Sequence, residues 1–162
     1  MEKLERIKTK ILSREQIKNQ CNIWRFNEKK IVFTNGCFDI LHLGHIEYLI
    51  QAADLGGILL IGLNSDVSVK AIKGSDRPFN SEESRAIILA SLSFVDGLII
   101  FDEETPYELI KLVKPDILVK GADYSVDQIA GHDIVQAHGG EVVTIPLTEG
   151  YSTTDLIARI KR

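Results

Sequence analysis

Cysteine, methionine, tryptophan and proline are all scarce in this chain: two, one, one and four among 162 residues. Cys21 and Cys37 form no C-x-x-C pair and offer no spacing for a disulfide framework, so a reduced, cytoplasmic setting is expected. No apolar run approaches the ~20 residues that cross a bilayer. The charged N-terminus lacks the apolar stretch of a secretory signal. A membrane is therefore not an expected partner. Positive charge is also in deficit, with 19 Lys and Arg against 23 Asp and Glu, a net charge of −4 and a pI near 5.6, which argues against nucleic acid as a general partner. Missing too are G-x-x-x-x-G-K-[ST], G-x-G-x-x-G and H-E-x-x-H, which removes the P-loop, the dinucleotide fold and the helical zinc site. No Ser-His-Asp order or activated cysteine suggests a covalent mechanism. Repeats, low-complexity tracts and interdomain linkers are absent.

What is present alternates. Ser13-Arg14-Glu15-Gln16 is a capping box and predicts a helix to about Phe26. Lys30–Phe33 reads as a first strand, Ile46–Leu55 as a helix closed by Gly56-Gly57, and Ile58–Leu63 as a strand apolar on both faces. Ser65-Asp66 starts a short helix towards Ile72. Asn80, with Glu83 three residues on, caps a helix over Ser81–Ser91. Phe94-Val95 and Leu98–Phe101 predict a third strand interrupted at Asp96-Gly97. Thr105-Pro106-Tyr107-Glu108 starts a helix with proline at its first position. Asp116–Val119 predicts the fourth strand, a helix spans His132–His138, and Glu141–Ile145 is the fifth strand. A last helix from Thr153 carries Leu156, Ile157 and Ile160. Strands alternating with helices imply a parallel α/β sheet covered on both faces, with ligands beyond the carboxyl ends of its strands. The division expected is an N-terminal helical extension over 1–28 and one catalytic domain over 29–162.

Thr34-Asn35-Gly36-Cys37-Phe38-Asp39-Ile40-Leu41-His42-Leu43-Gly44-His45 joins the first strand to the next helix. A helix start presents free N–H groups and a positive dipole end, which suits phosphate. Gly44 allows close approach to the backbone. His42 and His45, three apart, can aim donors to one side and stabilise charge building on a phosphoryl group. Zinc is the other use of two such histidines, but no third ligand stands nearby. Cys37, beside them, reads more simply as a small packed side chain.

Three further clusters fall at predicted strand ends. Lys70, Lys73, Gly74, Arg77 and Pro78 put cations on a loop after the second strand, as phosphate contacts or as a solvated loop. Lys120-Gly121-Ala122-Asp123-Tyr124 follows the fourth strand; Gly121 lets a base or sugar approach, and Asp123 suits hydroxyls, a metal or a plain turn. Thr148-Glu149-Gly150-Tyr151-Ser152-Thr153-Thr154 opens the last helix with three hydroxyls, enough for β- and γ-phosphates, although capping alone needs one.

The H-x-G-H after a strand resembles the signature of nucleotidyltransferases with a cytidylyltransferase-like fold. The longer string T-N-G-C-F-D-I-L-H-x-G-H is similar to the heptose 1-phosphate adenylyltransferase branch, as are K-G-x-x-R-P at Lys73–Pro78 and E-G-x-S-T-T at Glu149–Thr154. Ala122 departs from that branch's second glycine. Glycerol 3-phosphate cytidylyltransferases share the last stretch but carry arginine where this chain has Leu147. The likeness covers Lys29 to Arg162 in four ordered motifs. It implies a Rossmann-like nucleotidyltransferase fold with a five-stranded parallel sheet, and transfer of AMP from ATP to a heptose 1-phosphate, giving ADP-heptose for lipopolysaccharide and pyrophosphate. It further implies His42, His45 and Lys73 as catalytic residues. Asn35, Gly36, Phe38, Gly44, Arg77, Gly121, Asp123, Ser152, Thr153 and Thr154 are the implied nucleotide and phosphate contacts. Mg²⁺ is implied on the ATP phosphates rather than on protein ligands. A homo-oligomer fits the family, and a separate sugar kinase and phosphatase would complete the pathway. Alternatives are a cytidylyltransferase or an adenylyltransferase for another phosphorylated alcohol such as glycerol 3-phosphate, and, from another class, a non-catalytic nucleotide-sensing module.

Overall fold

The computed structural model describes residues 2–146, 148, 150, 151, 153, 156 and 157. Helices α1 (Lys3–Lys8) and α2 (Arg14–Phe26) precede β1 (Ile31–Gly36), α3 (Leu43–Ala53), β2 (Ile58–Asn64), α4 (Asp66–Lys73), α5 (Glu82–Ala90) and β3 (Gly97–Phe101). Then come α6 (Tyr107–Val113), β4 (Ile117–Gly121), a 3-10 turn at Val126–Gln128, α7 (His132–Ala137) and β5 (Glu141–Ile145). The strands form one parallel sheet in the order β3-β2-β1-β4-β5. The chain works outward from β1 to β3, then returns to the other side of β1. The topological switch point therefore lies between β1 and β4, where α/β sheets bind ligands.

Strand side chains alternate between two cores. Val32, Leu59, Ile61, Leu63, Leu98 and Val119 pack with Leu49 and Ala52 of α3 and Ala86 and Leu89 of α5. Ile31, Phe33, Leu60, Ile99 and Leu118 pack on the opposite face with Ile17 and Cys21 of α2, Leu109 and Val113 of α6 and Val135 of α7. Every residue of β2 is buried, which is why its sequence is apolar from Ile58 to Leu63, with Asn64 alone polar at its end. Each fully buried Leu, Ile or Phe contributes about 1.5–3 kcal/mol, so the two cores fix the sheet and hold its carboxyl edge as a firm platform. Residues 10–12 run beside β3: Leu12 N–H donates to Leu98 O and Leu98 N–H to Lys10 O, both at 2.8 Å. This covers part of the outer edge of the sheet.

The capping box of α2 forms as predicted, with Ser13 and Gln16 each bonding the other's backbone N–H. Several boundaries differ. α3 begins at Leu43, not Ile46, because His42 caps it. Ser81 rather than Asn80 caps α5, since the Asn80 amide is spent on Asp39 O at 2.7 Å. Pro106 is itself the N-cap of α6, with no side-chain bond from Thr105. β3 starts only at Gly97; before it, Asp96 closes a turn by accepting Leu59 N–H at 2.8 Å. β4 extends through Lys120 and Gly121, which pair with Thr144 and Ile145 of β5. The expected last helix lies largely outside the described residues, and so does Ile160.

Candidate active site

Beyond the carboxyl ends of β1 and β4 opens a cleft of about 340 Å³. Its floor is built by the turn from β1 into α3. Asn35 and Gly36 end the strand, and Phe38 takes a left-handed backbone (φ 43°), a conformation uncommon for a bulky side chain. That turn buries the Phe38 ring edge-on against His45, with centroids 5.4 Å apart. A Cβ on Gly36 would stand 3.0 Å from the same ring, so glycine is needed for Phe38 to fold back.

His42 then caps α3: its Nδ1 accepts the backbone N–H of His45 at 3.3 Å. With Nδ1 an acceptor, the neutral ring carries its proton on Nε2. The His42 and His45 rings stack with centroids 3.8 Å apart. Two imidazolium ions stacked so closely would repel. Burial first, then the charges of His42 and Lys73, push His45 down to about 4, and burial also lowers His42. At neutral pH His45 is a neutral donor. Its Nδ1 is buried and has no partner among the described residues. A Cβ at Gly44 would meet His42 Nδ1 at 3.2 Å and Tyr151 Cβ at 3.1 Å, so a larger residue there would press on the His42 ring.

On the β2 side, α4 ends at Lys73, whose exposed side chain lines the cleft, and Gly74 turns the chain with φ 95°. Arg77 does not line the cleft. Its Nε donates to Asp39 Oδ2 at 2.7 Å, and its guanidinium lies over the Phe79 ring. The buried Asp39 also accepts the N–H groups of Phe79 (2.8 Å) and Asn80 (3.0 Å). Behind it the wholly buried Arg85 binds Cys37 O (2.6 Å), Asn64 O (2.8 Å), Asn80 O (3.0 Å) and Asp66 Oδ1 (2.8 Å). Two charged residues thus tie the histidine turn to the loop carrying Lys73. Neither Asp39 nor Arg85 was among the sequence candidates.

The opposite wall comes from β4 and the segment after β5. Lys120, Gly121, Asp123 and Tyr124 line it, and Thr148, Tyr151 and Thr153 face them. Thr148 donates to Glu47 of α3 at 2.6 Å, and the Tyr151 ring is roughly parallel to His42 at 6.4 Å. Tyr48 closes the floor by a 2.7 Å hydrogen bond with Thr34. Of the candidates, His42, His45, Lys73, Asn35, Gly36, Phe38, Gly44, Gly121, Asp123 and Thr153 come together around the cleft. Ser152, Thr154 and Leu147 lie outside the described residues. Lys120, Tyr124, Thr148 and Tyr151 belong to the clusters read at the strand ends but were given no role of their own, and Tyr48 was missed altogether. Among the described residues no three His, Cys, Asp or Glu side chains gather as metal ligands. Of the two wall carboxylates, Asp39 is already saturated by Arg77, Phe79 and Asn80, leaving Asp123. A resident ion caged by protein ligands does not fit this donor set.

A family model described as cytidylyltransferase-like matches residues 33–159. Proteins named bifunctional protein HldE are similar over most of the chain. That of Syntrophotalea carbinolica is 50% identical over 94% of this chain and 31% of its own length. That of Nitratiruptor sp. is 57% identical over 82% of this chain and 28% of its own. The chain thus spans about a third of the curated relatives it matches. Among solved structures, a lipopolysaccharide core biosynthesis protein from Thermoplasma volcanium is 31% identical, with a TM-score of 0.61 over 76% of this chain and 99% of that one. The pantoate-beta-alanine ligase of Francisella tularensis, at 17% identity and a TM-score of 0.61 over 93% and 76%, shares the fold.

Proposed function

This chain is a member of the cytidylyltransferase-like family, and on that premise we propose that it transfers AMP from ATP to a heptose 1-phosphate, releasing pyrophosphate and forming ADP-heptose. The observation that carries the reading is the stacked pair His42 and His45 at the start of α3, in a cleft whose wall also bears Lys73. The four sequence motifs favour a heptose acceptor. The likeness to the lipopolysaccharide core biosynthesis protein of Thermoplasma volcanium supports the same pathway.

An oxygen of the sugar phosphate attacks the α-phosphorus of ATP, its new P–O bond forming as the bond to pyrophosphate breaks. No protein nucleophile is required. The neutral histidines act as preorganised N–H donors to the oxygens on which charge grows, and they need no proton transfer to do so. Lys73 adds positive charge beside His45. The free N–H groups of α3 receive phosphate oxygens, and Gly44 keeps that approach open. Asp39 holds Arg77 by its Nε, and the remaining guanidinium N–H groups are those through which Arg77 would meet a phosphate. Thr153 lines the other wall, and the hydroxyls of the Ser152-Thr153-Thr154 motif would serve the phosphates. The charge of the triphosphate would be offset by Mg²⁺ bound to its oxygens, as the family resemblance implies.

The test is pyrophosphate release with heptose 1-phosphate and either ATP or CTP. Strong preference for ATP is expected. Comparable catalytic efficiency with CTP would move the protein to the cytidylyltransferase side, and turnover of ATP with glycerol 3-phosphate instead of the heptose would make it an adenylyltransferase for another phosphorylated alcohol. Nucleotide binding without pyrophosphate release from any of these substrates would leave a sensing module.

A further inference from the structure

Lys120 lies at the end of β4, with Val119 buried before it and Gly121 following. Its Nζ stands 3.4 Å from the carbonyl oxygen of Asn35, the penultimate residue of β1, and 6.0 Å from the centre of the Tyr124 ring. Among the described residues no carboxylate forms a salt bridge with it. An ammonium has three N–H donors; this one has a single long acceptor and faces the cleft. A cation drawn partly out of water and so poorly paired is unfavourable until an anion joins it. Lys73, the other lysine of the wall, sits differently: it is exposed, at the end of α4, and its charge is felt by His45. The charges felt by Lys120 are those of Cys37 and Asp123. One cation thus attends the histidines, and the other occupies the switch point between β1 and β4.

Resting on the reaction proposed above, we infer that Lys120 binds the phosphate of the acceptor sugar and holds it for attack, while the histidines, Lys73 and the start of α3 hold the nucleotide. In-line displacement puts the entering and leaving oxygens on opposite sides of the phosphorus. Both groups are anionic, and the entering phosphate must come within ~3–3.5 Å of the α-phosphorus. A cation on the entering side offsets that repulsion, and Lys120 is the wall residue placed to supply it.

Burial pushes the Lys120 ammonium down to about 8, against the opposing charges of Cys37 and Asp123. Its charge is therefore present at neutral pH and lost as pH rises through that value. The groups facing it are Cys37 from the turn after β1, and Asp123 and Tyr124 from the loop after β4. His45, titrating near 4, stays neutral throughout that range. Catalytic efficiency reports ionisations of the free enzyme. The efficiency towards the sugar phosphate should accordingly fall on the alkaline side near pH 8.

The experiment uses Lys120→Met and Lys120→Arg, with pyrophosphate release measured as each substrate is varied in turn. Lys120→Met should raise the KM for heptose 1-phosphate by about 10–100-fold, the range for a lost charged hydrogen bond, and leave that for ATP unchanged. Lys120→Arg should restore most of the affinity and abolish the alkaline fall. An equal or larger rise in the KM for ATP, or an alkaline fall that persists in Lys120→Arg, overturns the assignment. Should Lys120→Met fail to fold, the pH profile of Lys120→Arg decides alone. Calorimetric titration of heptose 1-phosphate without nucleotide keeps the two readings apart. Sugar-phosphate binding that depends on Lys120, without any pyrophosphate release, would contradict the proposed reaction and uphold this assignment. An unchanged KM for heptose 1-phosphate in Lys120→Met, with pyrophosphate still released, would uphold the reaction and contradict the assignment.

Discussion

The two walls of the cleft are built on opposite principles. On the β2 side, Asp39 and Arg85 pair with one another's neighbours: Asp39 holds Arg77 and the N–H groups of Phe79 and Asn80, and Arg85 holds Asn80 O, Cys37 O and Asp66. On the β4 side, Lys120 has one long acceptor, and Asp123 and Tyr124 are exposed. A wall that satisfies its own polar groups gains rigidity and can position the histidine turn before any ligand arrives. The other leaves donors and acceptors for a ligand to complete. Preorganisation belongs to the first wall and recognition to the second.

The largest effect should come from breaking the paired wall. Arg85→Met strands the carbonyls of Cys37, Asn64 and Asn80 and takes the charge partner from the part-exposed Asp66. Loss of about 3–5 kcal/mol is expected, since each buried acceptor left without a donor costs about 1–3 kcal/mol. It is read from the urea midpoint at constant slope. A midpoint within experimental error of wild type would show that the wall does not depend on Arg85.

Next comes chemistry without loss of fold. His45→Ala and His42→Asn should each lower turnover by about 10²–10³, the usual effect of one lost preorganised donor, with little change in ATP affinity. Asparagine at 42 keeps a capping acceptor for α3, so its melting temperature should hold. Near-normal turnover in both variants would remove the histidines from the transition state.

A smaller contrast compares the two carboxylates. Asp39→Asn takes the charge partner from Arg77 and should destabilise by about 1–3 kcal/mol, with faster amide exchange at Phe79 and Asn80. Asp123→Asn should leave stability unchanged and alter only substrate parameters. Equal stability losses would erase the distinction between the walls.

The smallest effect is a matter of sign. His45 titrates near 4 in the fold and near its ordinary 6.5 when unfolded. Between those values the unfolded chain binds the extra proton, so stability present above about pH 6.5 is lost as pH falls towards 4. His45→Gln should flatten that part of the melting-temperature profile. An unaltered profile would place the acid sensitivity elsewhere.

Much of this was legible in the sequence where the signal is local. The Ser13–Gln16 capping box, the apolar run of β2 and the strand-turn-helix at His42 are each written in a few consecutive residues. The failures share one cause: side chains diverted by distant partners. Asn80 looks like a cap but bonds Asp39, 41 positions away in sequence. Arg77 looks like a free cation in an acidic chain, yet Asp39 already holds it. The one available hint of that hub was Asp39 itself, a carboxylate set between Phe38 and Ile40 in a turn, where burial demands partners. Lys120 was hidden differently. Beside Gly121 it resembles any loop lysine, and only the length of β4 brings its amine to the end of β1.

The most direct test of the account follows oxygen atoms. Heptose 1-phosphate carrying ¹⁸O on its non-bridging phosphate oxygens is turned over with unlabelled ATP, and both products are analysed by mass spectrometry. Attack by the sugar phosphate on the α-phosphorus predicts that all the label is retained in ADP-heptose, including its new bridging position, with none in pyrophosphate. Label in the pyrophosphate, or no ADP-heptose from a folded protein supplied with both substrates, would contradict it.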